Sequence, residues 1–161
     1  MELTLKNVKV HADMSEETNC FSASIYIDGK KAGLAKNQGH GGPSFVDWTD
    51  VDLGLAYEKW LEDEVILCQD PSDPTKQMII TGEYCSKLEW MVDKAIETFL
   101  DKKWFKTKCR GKVLFRLKGD DDESWRTLKL RNGGKYTDET KEWMVKRYGD
   151  EIEEIANETR I

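Results

Sequence analysis

A glycine-rich loop, Gly39-His40-Gly41-Gly42-Pro43, is the first place in this sequence where residue types and spacing suit chemistry. Glycine adopts positive φ at no steric cost, and successive backbone N–H groups in such a loop form a nest that binds anions. The spacing is neither that of a Walker A phosphate loop nor that of a dinucleotide-binding loop. Two interpretations stay open: a flexible connector, and a ligand-binding loop made of Gly39, His40, Gly41 and Gly42.

A basic segment between residues 102 and 135 is the second candidate, because it holds twelve Lys or Arg and four acids. The rest of the chain holds thirteen basic and twenty-seven acidic residues. Such asymmetry points to an anionic partner on one side of the protein. Strand alternation places Lys112, Arg116 and Lys118 on one face, and the neighbouring strand adds Arg126. We predict that these four cations bind phosphate, with a solvated face balanced by acids as the alternative.

Aromatic residues flank the basic segment. The chain has six tryptophans, of which Trp60 and Trp143 are expected in the core. Trp90 lies off the apolar stripe of its helix, and Trp104 and Trp125 are close to the cations in sequence. A tryptophan at such a position stacks on a base or contacts a protein partner. The predicted partner contacts are therefore Trp90, Trp104 and Trp125.

Catalysis and metal binding have weak support in the sequence. The only histidines are His11 and His40, and no Gly-x-Ser-x-Gly elbow is present. Neither histidine has zinc-finger spacing to the four cysteines, which we expect to be reduced thiols. We predict no catalytic residue, no metal and no cofactor. The alternative is an enzyme that acts on a phosphorylated small molecule or nucleic acid, with His40 as acid or base.

Length and composition favour a single α+β domain over residues 1–161. Hydrophobic residues make up 39% of the chain and charged residues 35%, which excludes disorder and a membrane protein. The segment Met1–Val10 has no basic region followed by an apolar one, so we expect no signal peptide and a cytoplasmic location.

Periodicity predicts the elements that position these residues. In the first half, strands are expected at Leu3–Val10, with an irregularity at Asn7, at Phe21–Ile27 and at Lys31–Lys36, with an Asp28-Gly29 hairpin turn. A helix capped by Asp50 runs to Leu61, and the proline-containing break Asp70–Thr75 precedes a short strand at Gln77–Thr81. In the second half, a helix at Glu83–Lys103 precedes strands at Val113–Leu117 and Trp125–Leu130, which are joined by the turn Asp120–Glu123. A helix at Thr137–Tyr148 follows, and Ile152–Ala156 is expected to be a strand, with a helical tail as the alternative.

Hairpin connections between these strands favour an antiparallel or mixed sheet, with about three helices packed mainly on one face. The predicted class is therefore α+β.

Several stretches carry a family resemblance: Ser15–Thr18 leading into Phe21–Gly29, Asn37–Gly42, Leu114–Gly119 with Trp125–Thr127, and Tyr148–Asp150. They resemble a family of small phage and bacterial proteins that lacks an established function. The resemblance implies a phage or mobile-element setting and a bacterial host cell. In that setting, small acidic proteins are often accessory or counter-defence factors.

The predicted function is a non-enzymatic, phage-related binding protein that inhibits a host system. Two mechanisms stay open: sequestering a phosphate-bearing nucleotide at the loop and the basic hairpin, or docking acidic faces and exposed aromatics onto a host protein. The acidity of the whole chain disfavours duplex nucleic acid. No membrane partner is expected, and a homo-oligomer is left open.

Overall fold

The computed structural model describes residues 1–70, 72–82, 86–122 and 124–161, and it confirms the α+β class. The strands are β1 Leu3–Val10, β2 Phe21–Ile27, β3 Lys30–Asn37, β4 Phe45–Trp48, β5 Leu67–Asp70, β6 Asp73–Ile79, β7 Lys112–Leu117, β8 Arg126–Lys129 and β9 Ile152–Ile155. The helices are α1 Val51–Asp63, α2 Lys87–Lys108, α3 Asp138–Tyr148 and α4 Ala156–Thr159. The chain divides into two compact units, Met1–Glu97 and Thr98–Ile161. The single domain over residues 1–161 stays a prediction.

The first unit contains an antiparallel sheet with the strand order β1-β2-β3-β4. Asp28 and Gly29 both have positive φ, 47° and 80°, which is the geometry of a tight hairpin turn between β2 and β3. Asn7 also has positive φ, 53°, at a register shift between β1 and β2. The predicted hairpin and the predicted irregularity are therefore both confirmed. The alternate residues Ala23, Ile25 and Ile27 are buried, which is why this strand reads clearly from sequence.

Helix α1 begins as predicted at Asp50, whose side chain accepts a hydrogen bond from the backbone N–H of Leu53 at 3.1 Å. Strand β4, just before it, was not predicted. Gly54 of α1 lets the Trp48 ring of β4 approach the helix backbone, since an added Cβ would overlap that ring. Trp48 Nε1 also donates to Glu58 Oε1 at 2.6 Å. These contacts hold α1 against β4.

The predicted break at Asp70–Thr75 is instead part of a two-stranded hairpin. Strand β5 was not predicted, and β6 covers Asp73–Ile79 where the sequence predicted a strand at Gln77–Thr81. Asp70 and Asp73 each accept hydrogen bonds from residues two positions later. These bonds stabilise a turn between two strands in a segment whose prolines had indicated a break. Pro71 lies outside the described residues.

Helix α2 is longer at its carboxyl end than predicted, because it continues from Lys103 to Lys108. Its predicted start at Glu83 lies outside the described residues, as does Cys85. Lys87 Nζ donates to the backbone carbonyls of Leu61, Glu62 and Glu64 at 2.7 to 2.9 Å. This side chain in the first turn of α2 therefore supplies hydrogen-bond donors to carbonyl groups at the carboxyl end of α1.

The second unit contains a three-stranded antiparallel sheet with the order β8-β7-β9. The central strand β7 is buried on both faces. Val113, Phe115 and Leu117 pack with Met144 and Ile155 on one side, and Leu114 packs with Phe105, Cys109 and Ala156 on the other. The strand at Ile152–Ile155 confirms the prediction of a carboxyl-terminal strand.

Helix α3 starts and ends where the sequence predicted. The Thr137 side chain accepts from the backbone N–H of Thr140, and Gly149 ends the helix with a φ of +54°. Trp143, expected in the core, is instead 46% exposed, so that prediction was wrong. The turn residue Glu123 lies outside the described residues.

The sequence predicted one sheet, whereas the described strands form three. Most of the paired strands are consecutive in sequence, and only β9 returns to pair with a strand, β7, that is not its neighbour along the described chain. Cys20, Cys68 and Cys109 are free thiols, as expected. None of the described helices has both the length and the apolar character that crossing a membrane would require.

Candidate functional site

The glycine-rich loop connects β3 to β4 in the first unit. Gly39 and Gly41 have the positive φ values that the sequence predicted, +89° and +82°. Their backbone N–H groups, however, donate to protein oxygens: Gly39 to Asn37 Oδ1 at 2.8 Å and Gly41 to Thr18 Oγ1 at 3.3 Å. These two amides are therefore directed at the protein and not at an open nest.

Acidic side chains also lie against this loop. The Glu17 carboxylate occupies the position that a Cβ on Gly41 would take, and Glu16 Oε2 is 3.1 Å from His40 Nδ1. Negative charge beside the loop opposes an anionic ligand. The geometry thus favours the connector interpretation, and the ligand-binding role of Gly39, His40, Gly41 and Gly42 stays a prediction.

Asn37 organises the loop, and sequence reasoning did not single it out. It is 6% exposed, and its side chain bonds Thr18, Gly39, Gly42 and Ser44. Ser44 in turn donates to Asp93 Oδ1 at 2.5 Å. Burial raises the pKa of Asp93 above its usual value, although the Ser44 hydrogen bond opposes that shift. This network determines the loop conformation.

Arg116, a predicted phosphate ligand, is buried in the second unit at 8% exposure. Its Nη1 donates to the Asp122 backbone carbonyl at 2.7 Å, and its Nη2 to Glu154 Oε2 at 2.8 Å. The guanidinium carbon lies 4.9 Å from the centroid of the Trp125 ring. Arg116 is therefore enclosed by protein groups that already balance its charge.

Glu154 is the centre of this ion-pair network. It also accepts from Arg160 Nε at 2.6 Å and from Thr159 Oγ1 at 2.6 Å. The hydrogen bond from Arg160, with those from Thr159 and Arg116, lowers the pKa of Glu154 to about 2. The carboxylate stays charged well below neutral pH.

Arg126, a second predicted ligand, also has a carboxylate partner. Its Nε and Nη2 donate to the two oxygens of Asp120, each at 2.7 Å. This bidentate hydrogen bonding lowers the pKa of Asp120 to about 2. In addition, Arg126 pairs with Phe115 in register, which places it on the opposite face of the sheet from Arg116. The predicted convergence of these two cations was wrong.

Two lysines do face each other on this sheet. Lys112 of β7 and Lys129 of β8 are direct partners in the antiparallel register. Direct partners have Cβ atoms about 4.5 to 5.5 Å apart, so the two ammonium groups repel each other. Neither lysine forms an ion pair within the described part of the chain. This arrangement concentrates positive charge at the end of the hairpin away from its turn.

Further cations extend the site. The backbone N–H of Leu130 donates to the carbonyl of Gly111 at 2.9 Å, which brings the segments carrying Arg110 and Arg131 together. The backbone N–H of Lys112 donates to the carbonyl of Cys109, the residue that follows α2, at 3.2 Å. We call the cations carried by these joined segments the basic corner, and they are Lys106, Lys108, Arg110, Lys112, Lys129 and Arg131.

All members of the basic corner are exposed except Lys112, which is half-buried. Sequence reasoning found Lys112 but missed Lys129, because their pairing depends on the register of the hairpin. Lys118, the remaining predicted ligand, is exposed beyond the other end of β7. It has no carboxylate partner among the ion pairs of the described residues.

The three predicted contact tryptophans differ in exposure. Trp125 is half-buried and packs edge-on against Phe105, with ring centroids 5.1 Å apart, besides covering Arg116. Trp90 is half-buried and lines a cavity of about 640 Å³ between the β5–β6 hairpin and α2. Trp104 is 45% exposed on α2. Only Trp104 of the three presents a large open surface.

Within the described ranges, no group of three His, Cys, Asp or Glu side chains is arranged to hold a metal ion. His40 has the exposed Glu16 carboxylate as its only hydrogen-bond partner among the described residues, so its acid–base role stays a prediction.

No family model matches the chain, and comparisons with curated proteins and with solved structures find no similar protein. The resemblance to phage and bacterial proteins, and the bacterial setting that it implies, therefore stay predictions.

Proposed function

We propose that this chain is a non-enzymatic binding protein that captures a phosphate-bearing ligand at the basic corner. The observation that carries the proposal is the direct pairing of Lys112 with Lys129 without a carboxylate partner in the described residues. Like charges directly opposite each other on paired strands are destabilising. A bound phosphate converts this repulsion into two attractions.

The distribution of charge in the second unit supports the same proposal. This unit has sixteen Lys or Arg against thirteen acids, whereas the first unit has nine against eighteen. Arg116, Arg126, Lys141 and Arg160 pair with carboxylates, so these acids neutralise cations away from the basic corner. The basic corner keeps its positive charge, which attracts anions.

Sequestration of the ligand is then the mechanism of the proposed function. The counter-defence role that the family resemblance implies fits such a mechanism, because removing a phosphate-bearing signal requires no catalysis. The ligand is expected to be released intact when the protein is denatured, which mass spectrometry of the purified protein and its supernatant measures.

Replacing Lys112 and Lys129 together with glutamine should weaken the binding of linear inorganic polyphosphate about 10-fold. The plot of log binding constant against log salt concentration should also become shallower, by roughly one unit of slope for each of the one to two phosphate contacts that are lost. Isothermal titration calorimetry at several salt concentrations measures both quantities. Polyphosphate is the probe because it tests anion binding without any contribution from bases.

The matched control is Lys30→Gln with Lys31→Gln, which removes the same charge from exposed positions at the start of β3. This control should leave the affinity within about 2-fold of the original, since Lys30 and Lys31 are not part of the basic corner. Equal losses in the two double variants would show a net-charge effect and overturn the proposed site. Absence of polyphosphate binding at low salt would overturn the function itself.

A further inference from the structure

Trp104 is an exposed aromatic ring beside the basic corner. It lies one turn before Lys108 on α2, and its side chain is 45% exposed. Its ring contacts Phe105 in a T-shaped arrangement, with centroids 4.9 Å apart and ring planes at 86°. Phe105 is itself buried against the sheet of this unit. Trp104 is therefore in contact with a buried residue while much of its own surface faces solvent.

One cation lies over this ring, since Lys108 Nζ is 5.5 Å from the ring centroid. Lys102, Lys103 and Lys106 are close to Trp104 in sequence on the same helix and are all exposed. Exposed aromatic rings combined with cations are the means by which proteins bind single-stranded nucleic acid, with bases stacked on the rings and phosphates on the cations.

The exposed cations also extend over more than the length of one phosphate group. From Lys102 to Lys108 the helix rises about 9 Å at 1.5 Å per residue, and Lys112 and Lys129 follow on the paired strands β7 and β8. A single phosphate contacts only part of such a surface, whereas a strand presents a phosphate at every nucleotide.

We infer that the ligand of the basic corner is a single-stranded nucleic acid, with one base stacked on Trp104 and the backbone phosphates on the basic corner. This inference rests on the proposed function, to which it adds the class of ligand. A duplex is a poorer ligand because its bases are already stacked and cannot reach the ring.

The test measures fluorescence anisotropy of a labelled oligothymidine of about fifteen nucleotides, with polyphosphate and a duplex of the same length as competitors. Trp104→Ala should weaken oligothymidine binding about 10-fold and leave polyphosphate binding unchanged, because stacking on one base contributes about a factor of 10. Trp104→Phe should retain most of the affinity, since a phenyl ring still stacks.

Trp143→Ala is the matched control. Trp143 has nearly the same exposure, 46%, and also lies near a cation, with the Arg147 guanidinium 5.7 Å from its ring, but it is on α3. This variant should bind oligothymidine as the original protein does. An equal loss in Trp104→Ala and Trp143→Ala would overturn the stacking role of Trp104.

The outcomes separate the inference from the proposed function. Polyphosphate binding that depends on Lys112 and Lys129, together with oligothymidine binding that does not depend on Trp104, would overturn the inference and leave the function standing. Duplex binding as tight as single-strand binding would also overturn the inference. Failure of both polyphosphate and oligothymidine to bind would overturn both.

Discussion

Replacing Glu154 with alanine should destabilise the protein by about 3 to 5 kcal/mol, because removing one partner of a buried ion pair leaves the other charge uncompensated. Arg116 is 8% exposed, and Glu154 is its closest carboxylate at 2.8 Å. Its other carboxylate contact, Asp122, is 95% exposed and 3.2 Å away, so water screens that interaction. The free energy of unfolding from urea denaturation, followed by circular dichroism, measures the loss.

Glu153→Ala is the control for this change, because Glu153 is the exposed neighbour on the same strand. It should alter stability by no more than about 0.5 kcal/mol. In an Arg116→Met background, Glu154→Ala should cost much less, since no buried guanidinium then loses its partner. An equal cost in both backgrounds would show that Glu154 acts independently of Arg116.

The same carboxylates make stability depend on acid pH. The folded-state pKa values of Glu154 and Asp120 are lowered to about 2, from usual values of 4.5 and 3.8. Because these two carboxyl groups bind protons more readily in the unfolded chain, unfolding takes up protons at acid pH. The stabilisation that the two carboxylates contribute is therefore complete above about pH 5 and is lost as the pH falls toward 2. Urea midpoints measured across this range should fall steadily. Glu154→Gln, which removes one of the two carboxylates, should flatten the profile, and an unchanged slope would contradict the role of Glu154.

Replacing Gly39 with alanine should destabilise the protein by about 3 kcal/mol, from left-handed backbone strain and from overlap with fixed atoms. Gly39 has a φ of +89°, and an added Cβ would overlap the backbone carbonyl oxygen of Met14. That oxygen cannot rotate away as a flexible side chain would. The Gly39 carbonyl also accepts from the backbone N–H groups of Glu16, Glu17 and Thr18, so a shift of the loop disturbs these bonds.

Gly42→Ala, in the same loop, is the matched control. No atom lies within 4 Å of the Cβ position at Gly42, and its φ lies outside the left-handed region. We expect a change within about 0.5 kcal/mol, measured as the shift in thermal midpoint and in urea denaturation. Similar losses in both variants would mean that the loop is not anchored at Gly39.

Local sequence signals determined much of the fold. The Asp28-Gly29 turn, the Asp50 and Thr137 caps and the Gly149 stop lie where the sequence predicted them. Each depends on the backbone preference of a few adjacent residues, so no distant contact is needed to establish it. The buried alternation of β2 was equally clear, because one face of that strand lies in the core.

Two of the four-residue strands, β4 and β5, were not predicted. Both have only half-buried and exposed positions, so no buried face marks them in the sequence. Their hydrogen-bonded partners β3 and β6 make them strands. The division into three sheets likewise depends on which edges meet.

The concentration of cations between residues 102 and 135 follows from the amino-acid composition of that segment. Which of these cations have carboxylate partners depends on how the chain folds. Arg116 is neutralised by Glu154, 38 residues further along the chain, and Arg126 by Asp120 across a turn. Among the residues that the structure describes, Lys112 and Lys129 have no carboxylate partner, and the register of the hairpin places them opposite each other. Charge pairing depends on distances across the folded chain, and the order of residues does not specify those distances until the strands have paired.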